Sequence, residues 1–331
     1  MSSPLYDWFF HEPFHSIFLG CTTSLSLFSN GLLLYIIATT NSSNLGPYRY
    51  LLAVFAVCDI VTTMGHAGLQ AVLFFINLSL LFTQRSIFLV FSSDSFDTIF
   101  CLIFIATYYQ TFLILAYHFI YRYKTVTSSI SRSFTDSWSR TRWIALGVVV
   151  YIIYVGGVVG GCAVALTPTE YTRANVPAEI MELYGVDLRD KRAGFTVAAV
   201  KNAASGEMEW HPLNLSGLIC CVALFGATAI VIIFCIYKTS AAIRSTENNL
   251  SEKTRQMQKN LFHALLIQTA VPCFFSYLPL ATILVFPAIT GISLGAFGNV
   301  LFSTTAIFPS IDPFFVLFFI KRFREAVVRL F

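Results

Sequence analysis

Three ionisable side chains lie where the surrounding sequence is apolar, and their types limit the chemistry available to the chain. Asp59 and Asp312 each interrupt a long apolar run, and Arg122 lies between two tyrosines at the end of another. A charged group inside an apolar helix is costly unless it is solvated or paired. Asp59 is therefore interpreted either as a hydrogen-bonded residue that joins helices or as a cation or proton site that biases two helix arrangements.

No other set of residues suggests bond-breaking chemistry. The sequence contains no Ser/His/Asp or Cys/His arrangement typical of a hydrolase, and no His/Cys/Asp spacing typical of a metal site. We expect no enzymatic activity and no cofactor. Nothing in the sequence indicates nucleic-acid binding.

The composition indicates the solvent in which the chain folds. Of its 331 residues, 56% are hydrophobic and only 11% are charged, whereas soluble domains carry about 25% charged residues. Because this number of charges is too small to cover a water-facing surface, the chain is predicted to lie in a lipid bilayer.

The apolar runs predict an all-α membrane protein with seven transmembrane helices in a single domain covering residues 1–331. A span needs about 20 apolar residues. The predicted spans are residues 14–38, 50–75, 98–121, 142–166, 213–237, 260–286 and 292–320. Residues 71–93 are ambiguous, because their apolar character fits an extended second helix, a re-entrant stretch or the start of the third helix. Residues 321–331 form a short amphipathic helix on the inner leaflet, with Phe323 and Val328 among the residues expected to face lipid.

The basic residues indicate the orientation. Most of the 21 Lys and Arg lie at Arg49 and within residues 122–142, 238–259 and 321–329, and Lys and Arg are retained in the cytoplasm. The N-terminus is therefore predicted outside and the tail inside. Residues 167–212 become an extracellular loop, and Asn77 becomes a glycosylation site.

Prolines and polar residues within the spans predict where the bundle bends. A proline removes a backbone donor and clashes with the preceding turn, so kinks are expected at Pro272 and Pro279 in the sixth span and at Pro313 in the seventh. Asn30 and Asp59 are expected to share a polar network with Asp312.

The half of the bundle predicted to face outwards supplies candidates for a small-molecule pocket. Such pockets combine apolar walls with a few fixed polar groups. The candidates are His66, Gln70, Phe104, Tyr108, Tyr109, Phe275, Tyr277, Asn299 and Ser303. For each of them, packing against lipid or a neighbouring helix is the simpler interpretation.

Four segments resemble a known family. They are Gly46-Pro47-Tyr48-Arg49-Tyr50-Leu51, Leu115 through Tyr123, Ser251 through Thr269, and Ile311-Asp312-Pro313 through Arg324. These segments, spread over most of the chain, resemble the nematode seven-transmembrane chemoreceptors of the Str superfamily (the Str and Srj groups), which are G-protein-coupled receptors.

The resemblance implies a chemosensory receptor of the olfactory type in the plasma membrane, in the cilia of chemosensory neurons. Its partners would be a small external odorant or soluble ligand, a heterotrimeric G protein and the bilayer. Arg122 takes the place of the arginine that rhodopsin-like receptors carry at the end of the third helix. The residues expected to meet the G protein are Arg122, Tyr123, Lys124, Arg255 and Lys259.

The chain also departs from the rhodopsin-like pattern. Tyr121, rather than an acidic residue, precedes Arg122, and Val316 stands where a tyrosine is expected. Residues 167–212 contain no cysteine, so Cys101 lacks the usual bridge to that loop. The alternative functions are a ligand-gated channel and a transporter. The charge distribution disfavours the channel with its N-terminus inside, and the scarcity of polar residues at membrane depth disfavours the transporter.

Overall fold

Long apolar helices form the body of the protein. The structure is a computed structural model, and it describes residues 14–40, 48–69, 71–76, 79–84, 94–128, 140–167, 169–176, 189–190, 196–201, 208–209, 212–245, 252–290, 294 and 296–330. Within these residues, six helices are long and apolar enough to cross a membrane, and a seventh span results when one bent helix pair is counted as a single span.

The first five spans are continuous helices. Their bounds are Phe14–Thr39, Tyr48–Leu69, Asp94–Ser128, Arg140–Leu166 and Pro212–Ser245. A five-residue helix, Glu170–Ala174, follows the fourth span and begins with a capping box at Thr169. The third span packs against the second, fourth and fifth spans. This central position explains why its residues are the most buried of any single-helix span.

The last two spans are interrupted. The sixth consists of Glu252–Pro272, a π-helical segment Cys273–Tyr277 and Leu278–Thr290. The seventh consists of Ala296–Ser303, a 3₁₀ turn Thr304–Ala306 and Phe308–Phe319. The tail helix Lys321–Leu330 follows at once. Its Phe323 is fully buried against the first and seventh spans rather than facing lipid, whereas Val328 is exposed.

The helical membrane bundle confirms the predicted fold class, and a small antiparallel sheet covers the end of the bundle opposite Arg122. Its strands are β1 (Ala71–Ile76), β2 (Ser79–Gln84), β3 (Thr196–Lys201) and β4 (Met208–Glu209), in that spatial order. The second helix ends at Leu69 rather than near residue 75. The residues after it are rich in β-branched and aromatic side chains, which favour a strand, and this resolves the ambiguity of this segment as far as Gln84.

The sheet joins two loops that are distant in the sequence. Ala71 pairs with Gln84 and Ile76 with Ser79 in the β1–β2 hairpin, while Leu81 pairs with Val197 across to β3. β1 packs on the start of the seventh span, and β3 packs on the fourth and fifth spans. Backbone hydrogen bonds thus attach the loop of residues 167–212 to the bundle without a disulfide to that loop.

Two apolar clusters hold the bundle together. One lies between the third, fifth and sixth spans and includes Phe112, Phe119 and Leu265. The other lies between the first, second and seventh spans and the tail helix, and includes Ile36, Leu52 and Phe323. Because lipid tails are as apolar as these side chains, the clusters stabilise the bundle by van der Waals packing. The end of the third span, which carries Arg122, lies between these clusters.

Candidate functional site

The guanidinium of Arg122 is buried at the end of the bundle away from the sheet. Arg122 is only 3% exposed. Its Cζ lies 3.9 Å from the centre of the Tyr48 ring, where the cation–π attraction operates. Its Nη1 donates a long hydrogen bond, 3.5 Å, to Oε1 of Gln258 in the sixth span. Within the described residues no carboxylate pairs with Arg122, so an aromatic ring stabilises this charge instead.

The Tyr48 ring is itself held in place. His118 lies one helical turn before Arg122 and therefore on the same face of the third span. The His118 ring packs edge-on against Tyr48 with 5.4 Å between centroids, and its Nε2 lies 3.2 Å from the Leu51 carbonyl oxygen. Tyr121 stacks on the Tyr48 ring with 5.9 Å between centroids. Tyr48 is thus fixed over Arg122 before any partner binds.

The other residues predicted to meet a G protein lie apart from Arg122. The Tyr123 ring packs edge-on against Phe234 of the fifth span. Lys124 places its Nζ 3.8 Å from the centre of the Trp143 ring in the fourth span. Arg255 pairs with Glu252 one turn earlier at 2.6 Å, and Lys259 is half-buried. The structure brings Gln258, rather than Arg255 or Lys259, to the arginine.

A polar network in the middle of the bundle depends on Pro313. Because proline has no N–H, the carbonyl of Pro309 one turn earlier has no helical donor. That carbonyl accepts hydrogen bonds from Asn30 Nδ2 at 2.8 Å and from Ser26 Oγ at 3.1 Å. Ser26 also bonds Thr63 of the second span at 2.6 Å. Three spans therefore meet at one carbonyl group.

The two membrane carboxyl groups lie beside this network but do not bond to Asn30. Asp312 Oδ2 accepts a hydrogen bond from Gln268 of the sixth span at 3.2 Å. Both oxygens of Asp59 are buried without a hydrogen-bond partner among the described residues, and Asp59 is close enough to Asp312 to interact with it electrostatically. The predicted network is thus divided into an amide–carbonyl part and a carboxyl part.

Irregular turns interrupt the last two spans. In the sixth span the irregular turn begins directly after Pro272, whereas Pro279 lies within regular helix. In the seventh span a 42° bend precedes Phe308 and Pro309, and Pro313 lies within the helix that follows it. The physical reason is that the carbonyl left free by Pro313 is satisfied from the first span, which keeps that turn helical.

Towards the sheet, the pocket candidates divide into two groups. In the first, the His66 ring packs edge-on against Phe104 at 4.8 Å, and Phe302 lies 6.2 Å from His66. Ser303 is buried in the next position of the seventh span. These side chains join the second, third and seventh spans.

The second group lies between the third, fifth and sixth spans. Tyr108 bonds the hydroxyl of Ser276 through its own hydroxyl, and its ring is 6.0 Å from that of Tyr277. Tyr277 also packs edge-on on Phe112 at 4.7 Å, and Phe112 stacks on Phe225 at 4.1 Å. The result is an apolar wall with one polar pair, as small-molecule sites require.

The remaining candidates have other neighbours as well. Tyr109 adjoins the second group through Phe225, with 6.4 Å between ring centroids, and is directed towards the fourth span, with its ring 6.3 Å from that of Tyr154. Phe275 is half-buried, and its carbonyl accepts a 2.7 Å bond from Thr304. Gln70, Asn77 and the side chain of Asn299 lie outside the described residues.

Several residues of these sites were missed by reasoning from the sequence. They are Tyr48, Gln258, Phe112, Phe225, Ser276 and Phe302. Phe112 follows Tyr108 by four residues, so helical spacing placed both on one face. Tyr48 had no comparable signal, because it meets Arg122 only through the packing of the second span on the third.

Comparisons with known proteins agree with this architecture. The family model described as serpentine type 7TM GPCR chemoreceptor Str matches residues 15–328. The chain is 26% identical to serpentine receptor class r-10 of Caenorhabditis briggsae, over 93% of this chain and 87% of that protein. It is 22% identical to the G-protein coupled receptor str-33 of Caenorhabditis elegans, over 92% and 87% of the two chains.

A solved structure supports the fold independently. Squid rhodopsin superposes with a TM-score of 0.63, covering 100% of this chain and 85% of that chain at 11% sequence identity. At that identity the likeness concerns the fold, and the family match extends over nearly the whole chain. The chain therefore belongs to the Str family of serpentine seven-transmembrane chemoreceptors.

Proposed function

We propose that this protein binds a small external molecule, of the odorant or soluble type, and in response activates a heterotrimeric G protein. The observation that carries the proposal is the burial of Arg122 under Tyr48 at the end of the bundle predicted to face the cytoplasm. A buried arginine that is held by a ring and one long hydrogen bond is a charge that a partner can take over.

The proposed mechanism is a shift between two helix arrangements. In the structure the Gln258 side chain reaches Arg122 from the sixth span, which closes the site. The π-helical segment after Pro272 gives the sixth span a point at which to bend. Movement of its inner part away from the third span would break the Gln258 contact and expose Arg122 to the end of a Gα subunit. Tyr123, Lys124, Arg255 and Lys259 would then surround that cleft.

The agonist provides the free energy for this shift only if it binds the open arrangement better. The aromatic group around Tyr108 and Tyr277 is the proposed binding region, because it contains residues of both the third and the sixth spans. Ser276 and Tyr277 belong to the π-helical segment itself. A ligand that separates Tyr108 from Ser276 would therefore act directly on the bend.

The experiment that tests the proposal measures nucleotide exchange on a heterotrimeric G protein in membranes containing the receptor, with a panel of volatile and water-soluble compounds. Arg122→Ala is expected to abolish agonist-dependent exchange at unchanged surface expression, because the cleft loses its charge. Arg49→Ala is the matched control, since Arg49 lies at the same end and contacts the exposed Tyr50. Undiminished exchange in Arg122→Ala would disprove the proposed role.

The orientation is tested separately with epitope tags at both ends of the chain. In intact cells an antibody is expected to reach the N-terminal tag and not the C-terminal tag, because Lys and Arg concentrate at the Arg122 end. A plasma-membrane protein in sensory cilia would show the same pattern at the ciliary surface. An N-terminus found inside would place Arg122 on the external face and favour the channel function.

A further inference from the structure

The fourth and fifth spans approach each other closely along a line of matched residues. A Cβ added at Gly217 would overlap the Cβ of Ala165, so no side chain fits between the helices there. Further towards the bundle centre, Thr228 Oγ1 lies 3.2 Å from the Tyr154 hydroxyl. The residue numbers rise on one helix as they fall on the other, as in an antiparallel pair. These two contacts fix the register between the helices.

Two thiols face each other in this register. Cys162 and Cys221 lie one turn from the Gly217–Ala165 contact, and their Sγ atoms are 3.4 Å apart. Cys162 is 1% and Cys221 9% exposed. Disulfide bonding requires an S–S separation of about 2.05 Å, so the sulfurs need to approach by roughly 1.4 Å. The adjacent Cys220 is exposed on the outer surface of the helix.

The neighbouring thiol favours joint oxidation of the two sulfurs. The thiol of Cys162 lies within hydrogen-bonding distance of Cys221 Sγ. Donors at a sulfur atom stabilise negative charge on it, and the thiolate is the form that reacts with oxidants. A second thiol adjacent to the reacting one is typical of cysteines that oxidise reversibly.

We propose that Cys162 and Cys221 form a redox-active pair that hydrogen peroxide converts into a disulfide between the fourth and fifth spans. Peroxide first oxidises the Cys221 thiolate to a sulfenic acid, breaking the O–O bond and releasing water after proton uptake. The Cys162 sulfur then attacks the sulfenic sulfur, forming the S–S bond and releasing a second water. In total the two thiols lose two electrons and two hydrogens, and one peroxide becomes two waters.

The disulfide would also affect the ligand region, a consequence that rests on the proposed function. Tyr109 packs against the apolar cluster that contains Cys162 and Cys221, so its packing would change when the two sulfurs approach each other. Tyr109 adjoins Phe225, with 6.4 Å between ring centroids, and Phe225 packs on Phe112 and Tyr277. Oxidation would thus fix the fifth span against the fourth beside the proposed binding region.

The test uses the full-length chain with a protease recognition sequence inserted in the loop between Val176 and Arg189. Membranes are treated with hydrogen peroxide, remaining thiols are alkylated, the loop is cleaved, and the fragments are separated by denaturing electrophoresis without reductant. We expect the two fragments to migrate together after peroxide treatment and to separate after reduction. Fragments that separate after peroxide treatment would overturn the proposal.

Single substitutions identify the sulfurs. Cys162→Ser and Cys221→Ser are expected to abolish the cross-link completely, whereas the control Cys220→Ser retains it. A cross-link that persists without Cys162 or without Cys221 contradicts the pairing. Mass spectrometry of the linked peptides from the unsubstituted pair gives the same answer without depending on how a variant folds. No G protein or agonist is present, so this result and the result for the proposed function are independent.

Discussion

At the end of the bundle away from the sheet, the buried cation of Arg122 is covered by an aromatic ring, whereas towards the sheet aromatic rings pack mainly on one another. Arg122 is stabilised by Tyr48 and by one long hydrogen bond. Tyr277, in contrast, contacts Tyr108, Phe112 and Phe225. In the first arrangement a protein partner can replace the Tyr48 ring as the group that contacts the arginine. The second provides shape and one polar pair, which suits recognition of a small molecule.

The same comparison shows which group stabilises Arg122, because Tyr121 rather than an acidic residue precedes it. The cation–π contact with Tyr48 takes the role of an ion pair in the closed arrangement and contributes about 0.5–2 kcal/mol. The closed state of this receptor is therefore expected to depend on how well Tyr48 is packed by His118 and Tyr121.

The largest effect is expected at the end of the bundle that carries Arg122. Tyr48→Ala removes the ring over Arg122, so agonist-independent nucleotide exchange should rise by about 2- to 30-fold, corresponding to about 0.5–2 kcal/mol. Tyr48→Phe retains the ring and is expected to behave like the unsubstituted receptor. Adding Arg122→Ala to Tyr48→Ala should remove the excess activity. Unchanged exchange in Tyr48→Ala would mean that the ring does not hold the closed state.

A smaller effect is expected near the sheet. Tyr108→Phe removes the hydroxyl that bonds Ser276, and interhelical hydrogen bonds in membranes contribute about 0.6 kcal/mol on average. The concentration of agonist required for half-maximal exchange should change by roughly threefold. Ser276→Ala should produce the same change, and the double substitution should add little. If the two substitutions instead change this concentration additively, they do not act by removing the same Tyr108–Ser276 hydrogen bond.

The smallest effect is expected from the contact between the third and sixth spans. Gln258→Ala removes a hydrogen bond of 3.5 Å, which is at the long limit for such bonds. Agonist-independent exchange should rise by about twofold or less, since a bond this long contributes little. Gln256→Ala is a suitable control, because Gln256 bonds Asn260 on the exposed face of the same helix. An increase as large as that of Tyr48→Ala would show that the contact with the sixth span, rather than the Tyr48 ring, is the main restraint on the closed arrangement.

The sequence by itself determined the class of protein and the family. Apolar runs of bilayer length and the scarcity of charge predict membrane-spanning helices, because the backbone in lipid must satisfy its own hydrogen bonds. The segment after Leu69 was ambiguous between an extended second helix, a re-entrant stretch and the start of the third helix, and none of these is the strand that the structure shows. Pairing of β2 with β3 resolved it, and that pairing joins residues more than a hundred positions apart.

The tertiary structure decided which side chains meet. Arg122 was recognisable from its position, but its contact with Tyr48 follows from the packing of the second span on the third. Pro313 predicted a kink, yet Asn30 and Ser26 of the first span bond the carbonyl that this proline leaves free. The juxtaposition of Cys162 with Cys221 required the register of two antiparallel helices. Local spacing in a helix predicts which face a residue occupies, whereas the partner on that face depends on the packing of the whole bundle.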